Sequence, residues 1–138
     1  MAYWLLKSEP DDYSYDDLVR DGRTCWDGVG NNLALTHIRK VRPGDRCLVY
    51  LTGKVKAAVG VCEAVGEPYV KPGTDEKLAV FDVEPREALD RPVTLKEVKA
   101  DEKFEGWQLV SNSRLSVVPT TKKHFDRVLA LSKKPAAK

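Results

Sequence analysis

Three runs of β-branched and aliphatic residues follow one another through the middle of the chain: Arg46 to Leu51 (RCLVYL), Ala57 to Val65 (AAVGVCEAV) and Leu78 to Val83 (LAVFDV), with turn residues between them. Side chains of this kind fit a pleated, half-buried surface, and short runs bounded by turn signals read as antiparallel neighbours. Gly60, inside the second run, has no side chain to pack and marks a bulge or sharp bend, the device by which a small sheet curls. The turn Arg42-Pro43-Gly44-Asp45 feeds the first run. A chain with this centre folds around a curled, mostly antiparallel sheet, and the flanking segments must supply its edges and its helical cover.

Tyr3 to Lys7 (YWLLK) is a buried strand stopped at Ser8-Glu9-Pro10, and its Trp4 is structural. Ser14 caps a short helix that Gly22 closes. Thr24 to Asn31 reads as a polar, glycine-rich loop around Trp26, and it leads into a helix from Asn31 to Val41 whose apolar face is Ala34, Leu35, Ile38 and Val41. Thr94 and Glu97 have the spacing of a capping box and start another helix, whose lysines should lie outside. Trp107 to Val110 and Arg114 to Val118 are expected to complete the sheet, and Thr121 caps a last helix, Lys122 to Leu131, with Phe125, Val128 and Leu129 on one side. The class is therefore α+β. With 138 residues, 42% of them hydrophobic, one core and one domain over residues 1–131 are expected, followed by a flexible basic tail at 132–138.

Several function classes are excluded at this level. No segment approaches the roughly 20 apolar residues of a membrane span and no leader is evident, so a soluble, cytoplasmic protein without a membrane partner is expected. Cys25, Cys47 and Cys62 are too far apart for a metal knuckle, and with only His37 and His124 beside them no metal and no cofactor are expected. Lys and Arg outnumber Asp and Glu by 23 to 21, a formal charge of +2 that points only weakly to nucleic acid. Basic residues do gather at Arg39 to Arg42, at Lys54 and Lys56, and near the end. No Ser-His-Asp order, Walker loop or dinucleotide motif is present, and Lys7 with Glu9 or Asp27 is the only constellation that suggests catalysis.

Five segments in order, YWLLKSEP, CWDGVGN from Cys25, RPGD at 42–45, PVTLKEVKA from Pro92 and SRLSVVP from Ser113, together resemble the EVE domain family, over about Tyr3 to Leu131. The resemblance implies a PUA-like fold, a curled barrel flanked by helices, related to the YTH readers of methylated adenine in RNA. It also implies a reader of modified bases, chiefly modified cytosines such as 5-methylcytosine in DNA; in bacteria such domains often accompany restriction systems. Carried over by position, Lys7-Ser8 matches a pair at the base pocket, Trp26 an aromatic cage residue, and Asp27 and Asn31 the same loop and helix entrance. Asn112 and Ser113 precede the Arg-Leu-Ser stretch that forms another wall. The family loop usually reads Gly-Val-Arg-Asn followed by Tyr-Gln-Ala-Arg, whereas here it is Gly28-Val29-Gly30-Asn31-Asn32-Leu33-Ala34-Leu35. Before Arg114 the usual Arg-Gln is Ser111-Asn112. The charged donors lost here would contact phosphate or base, so the identity of the base does not carry over.

A base inspected within a duplex must first leave the stack, which demands an aromatic surface and a few fixed polar groups. Trp26 suits the first role, because stacking on an aromatic ring contributes about 1–3 kcal/mol per base; the alternative is a core tryptophan bridging loop and sheet. Ser8, Asp27, Asn31, Asn112 and Ser113 suit the second, although Asp27 and Asn31 could instead cap the following helix. Lys7, Arg39 and Arg114 are candidates for the nucleic-acid backbone. Tyr50 and Tyr69 are further candidates for an aromatic cage. The expected function is a non-enzymatic, monomeric nucleic-acid binder holding a modified base, with DNA favoured over RNA. The alternatives are an RNA-binding module of the same fold, an enzyme acting on a modified nucleoside, and a small interaction domain.

Overall fold

In the computed structural model, which describes residues 1–135, the first strand, β1 (Tyr3–Ser8), sits inside the sheet rather than at an edge. It runs parallel to β3 (Arg46–Leu51), in register from Tyr3 opposite Arg46 to Ser8 opposite Leu51, and antiparallel to β7 (Val117–Thr120). Leu5 and Leu6 point to opposite faces and both are fully buried, the mark of a strand covered on each side. Beyond β3 lie β4 (Ala57–Ala64), then β6 (Ala79–Thr94) and β2 (Thr24–Trp26), each antiparallel to its neighbour, while β5 (Tyr69–Val70) pairs briefly with β6. The result is a curled, mixed sheet of seven strands in the order β2-β6-β4-β3-β1-β7, with β5 off that path. As expected, the class is α+β.

Gly60 explains both the curl and the docking of the first helix. The β4–β6 register shifts between Ala58 and Gly60, a bulge at the expected position. The ring of Tyr15 lies directly on this glycine: a Cβ placed there would be 2.3 Å from the ring Cε1. Tyr15 also donates its hydroxyl to the Val61 carbonyl at 2.8 Å. It opens α1 (Tyr15–Asp21), which Ser14 and Asp17 cap reciprocally. α1 therefore fixes where the preceding loop, residues 9–14, crosses the sheet.

The remaining helices follow local signals. Asn31 caps α2 (Asn32–Lys40), whose Ala34, Leu35 and Ile38 face the core, with Val41 buried just beyond. Thr94 and Glu97 form the capping box of α3 (Leu95–Ala100), and Thr121 caps α5 (Lys122–Ser132). Trp4 is indeed structural: its Nε1 donates to Asp45 at 3.0 Å, and the same buried carboxylate accepts from the Ala2 and Arg42 amides at 2.9 Å each. Cys47 and Cys62 face one another across β3 and β4, and this contact together with burial pushes the Cys47 thiol up. Among the described residues no helix is long and apolar enough to cross a membrane, and no group of three or more His, Cys, Asp or Glu is placed to hold a metal ion.

Four expectations need correction. The loop at 24–31 begins as a strand, because Thr24 to Trp26 pair with Val83 to Phe81. The strand expected at 78–83 continues to Thr94, since the start of β4 supplies partners as far as Val93 and Thr94. Trp107 to Val110 is not a strand: it enters α4 (Gln108–Ser111), held by stacking of Phe104 on Trp107 at 5.3 Å and by the Trp107 Nε1 bond to Thr120 Oγ1 at 3.3 Å. The strand expected from Arg114 starts only at Val117. Of the proposed tail, Ser132 is buried and ends α5, and the Lys134 carbonyl accepts from Arg91 at 2.6 Å. Residues 136–138 of that tail lie outside the described residues.

Candidate nucleic-acid interface

The end of β1 presents Lys7 and Ser8, the loop that α1 positions adds Glu9, Asp12 and Tyr13, and β2 with its following loop adds the stretch from Thr24 to Val29. With Lys71 beyond β5 and Ser116 before β7, these segments enclose a cavity of about 600 Å³. Sites for small organic ligands span about 300–1,000 Å³, so a single base fits comfortably. A second hollow of about 480 Å³ adjoins it, lined more by apolar groups such as Leu78, Ala79 and Val80. Asp27, Gly28, Val29 and Lys71 border both.

Two aromatic rings meet at the cavity. Trp26 and Tyr13 pack edge to face with centroids 6.4 Å apart and planes at 82°. Trp26 is only 7% exposed, so it is a core residue, and it also lines the cavity. Tyr13 is the more open ring; its hydroxyl donates to Asp21 at 2.7 Å, and burial raises its pKa.

The polar groups are held in fixed directions. Ser8 Oγ donates to the Tyr13 carbonyl at 2.6 Å, which commits its proton and leaves the oxygen free to accept. Lys7 Nζ donates to the Ser113 carbonyl at 2.8 Å and lies 5.9 Å from the centre of the Tyr50 ring, and burial lowers its pKa. Asp27 accepts from Lys71 Nζ at 2.6 Å, and that bond raises the lysine pKa. Both side chains of this pair remain partly open, at 53% for Asp27 and 40% for Lys71. Glu9 accepts from the Thr52 hydroxyl at 2.8 Å. Lys7, Glu9 and Asp27, the constellation suggested by the sequence, all border the cavity, and each is hydrogen-bonded to a different partner and not to one another.

Of the candidate site residues, Lys7, Ser8, Trp26 and Asp27 come together and the others lie outside the cavity lining. Asn31 spends its Oδ1 on the Ala34 amide at 3.0 Å as the cap of α2. Asn112 and Ser113 occupy the turn after α4, and Ser113 reaches the cavity only through the carbonyl that holds Lys7. Arg39 is on another surface, donating to the Lys77 carbonyl at 2.8 Å, and Arg114 is exposed. Tyr50 is buried within the sheet, while Tyr69 donates to Asp82 at 2.7 Å. Tyr13, Lys71 and Ser116 were not selected from the sequence. Tyr13 could have been, because Pro10 turns the chain back immediately after the strand bearing Lys7 and Ser8; nothing local marks Lys71.

Residues 2–131 match the EVE domain family. A protein of Rhodopseudomonas palustris, Rpa0253, has a solved structure with a TM-score of 0.89 at 36% identity, covering 96% of this chain and 93% of that one. Human THYN1, solved in complex with DNA containing 5-methylcytosine, superposes with a TM-score of 0.91 at 27% identity, covering 99% of this chain and 100% of that one. Thymocyte nuclear protein 1 of Rattus norvegicus is 29% identical over 94% of this chain and 73% of its own length.

Proposed function

This chain belongs to the EVE domain family, and on that premise we propose that it is a DNA-binding module that holds a modified base, chiefly a modified cytosine, extruded into the cavity bordered by Ser8, Tyr13, Trp26 and Asp27. The observation that carries this reading is the Asp27–Lys71 pair at the mouth of a base-sized cavity with aromatic walls. A carboxylate beside an ammonium offers an acceptor next to a donor. The Watson–Crick edge of cytosine has the complementary order, an amino donor beside a ring-nitrogen acceptor, whereas thymine reverses it. A thymine in the same place would set its carbonyl against the carboxylate and its ring N–H against the ammonium, which disfavours it. Tyr13 supplies the open aromatic surface and Trp26 backs it from the core. The neighbouring apolar hollow offers a contact to a group carried on the base edge. The DNA complex of human THYN1, which belongs to a protein of the same fold, supports DNA over RNA.

The test is a titration against matched duplexes carrying cytosine, 5-methylcytosine, 5-hydroxymethylcytosine or N6-methyladenine, with an RNA competitor, at two salt concentrations. Trp26→Phe is the suitable aromatic variant, because replacing a buried tryptophan by alanine costs about 3–5 kcal/mol of stability and confounds the readout. Modification-dependent binding weakened by Asp27→Asn is expected. Binding that ignores the modification, vanishes with salt and survives Asp27→Asn would sink the proposal. Turnover of a modified nucleoside, lost on Lys7→Ala with the fold intact, would replace it by an enzyme.

A further inference from the structure

We infer that the strand of duplex DNA flanking the extruded base runs over a second, cationic surface made by Lys54 and Lys56 on the β3–β4 turn and Lys96 and Lys99 on α3. This rests on the reading that the cavity takes a base from DNA. All four lysines are exposed, and they border one shallow depression together with Val55, Thr94 and Leu95. Among the described residues none of the four has a carboxylate partner, whereas several cations elsewhere do: Arg20 pairs with Asp17 and Asp21, Arg86 with Glu63 and Glu84, and Arg127 with Asp101. The one acid on α3, Glu97, is taken by Arg91 at 2.8 Å and by the helix cap. A chain of formal charge +2 thus gathers four uncompensated charges on one face.

The backbone holds the four together. Lys56 has φ +47°, the left-handed region that disfavours a residue with a Cβ, and its carbonyl accepts from the Leu95 amide at 2.8 Å. That bond ties the turn to the first residue of α3, so the two lysine pairs stay adjacent. The same turn touches the cavity, because Thr52 bonds to Glu9, which lines it. The turn that carries Lys54 and Lys56 therefore starts at the rim of the proposed base site. Lysines here would neutralise phosphates and set orientation without reading sequence.

Each phosphate neutralised contributes about −0.9 to the slope of log K against log salt. Lys54→Gln, Lys56→Gln, Lys96→Gln and Lys99→Gln combined should therefore flatten the slope by about 3 or more. Between about 50 and 200 mM salt, the wild type should lose roughly 40- to 150-fold more affinity than this variant, for three to four contacts. The control is an equal charge change elsewhere: Lys40, Lys103, Lys123 and Lys133 replaced by Gln, with thermal melts confirming that both variants fold. The ratio of binding to 5-methylcytosine and cytosine duplexes should be unchanged in the first variant. Equal slope changes in the two variants, or a collapse of that ratio with the slope unaltered, would overturn the inference while leaving the base-reading proposal standing. A wild type that binds no duplex overturns both.

Discussion

Replacing Gly60 by alanine should unseat α1 from the sheet. The added Cβ would lie 2.3, 2.4 and 2.6 Å from Cε1, Cζ and Cδ1 of Tyr15, distances that non-bonded carbons do not tolerate. The ring has little freedom to move, since it is buried and its hydroxyl is bonded to Val61. Forcing an extra methyl into a packed core costs about 1–3 kcal/mol, and losing the tyrosine hydrogen bond adds about 1 kcal/mol, for a total of about 2–4 kcal/mol. With an unfolding entropy of about 2.1 cal/mol/K per residue, a chain of this length should melt roughly 7–14 °C lower. Urea unfolding of Gly60→Ala, Tyr15→Leu and the double variant measures the effect directly. Once the ring is gone the alanine should cost under about 1 kcal/mol, so the cycle should show a coupling near 2 kcal/mol. A Gly60→Ala protein within about 0.5 kcal/mol of wild type, or the same loss in both backgrounds, would refute the packing account.

Asp45→Ala leaves the Trp4 indole and two amides without their acceptor, and should destabilise the fold by about 2–4 kcal/mol in the same assay. His37 and His124 are buried, each with a ring nitrogen that has no partner among the described residues, and burial lowers both pKa values from 6.5. The unfolded chain therefore takes up these protons first, so their contribution to stability is complete above about pH 6.5 and is lost as pH falls through the lower folded values. Urea midpoints should decline from pH 7 towards 5, and the decline should shrink in a His37→Gln/His124→Gln variant. Asp27→Asn should narrow the preference for 5-methylcytosine over thymine, each placed opposite an abasic site, by about ten-fold or more, read by fluorescence anisotropy.

The elements legible in the sequence are those whose cause is local. Ser14, Asn31, Thr94 and Thr121 each cap the helix that follows, and α2 buries the face its spacing implies. β6 was only half visible, because Glu84 to Pro92 is charged, contains two prolines and is mostly exposed or half-exposed; its strand conformation comes from β4, not from its own pattern. β2 has three residues and exists through partners more than fifty positions away. The four apolar or amide residues at 107–110 suit helix or strand equally, and a ring stack and one hydrogen bond decide between them. The cavity was legible where a motif was contiguous, at Lys7-Ser8 and Trp26-Asp27. It was invisible where one side chain arrives from a distant loop, as with Lys71, and open where a polar side chain can serve its own turn, as with Asn31, whose Oδ1 is used as the helix cap.

The place of β1 in the sheet has a consequence for how the chain is made. One edge of β1 is matched as soon as β3 emerges, but the other must wait for β7, more than a hundred residues later. Until Val117 to Thr120 have been synthesised, the strand Tyr3 to Leu6 keeps a bare, aromatic and aliphatic edge, a template for pairing with another chain. The final fold therefore depends on its latest contacts, and ribosomes that stall before this point should leave nascent chains that aggregate or require a chaperone.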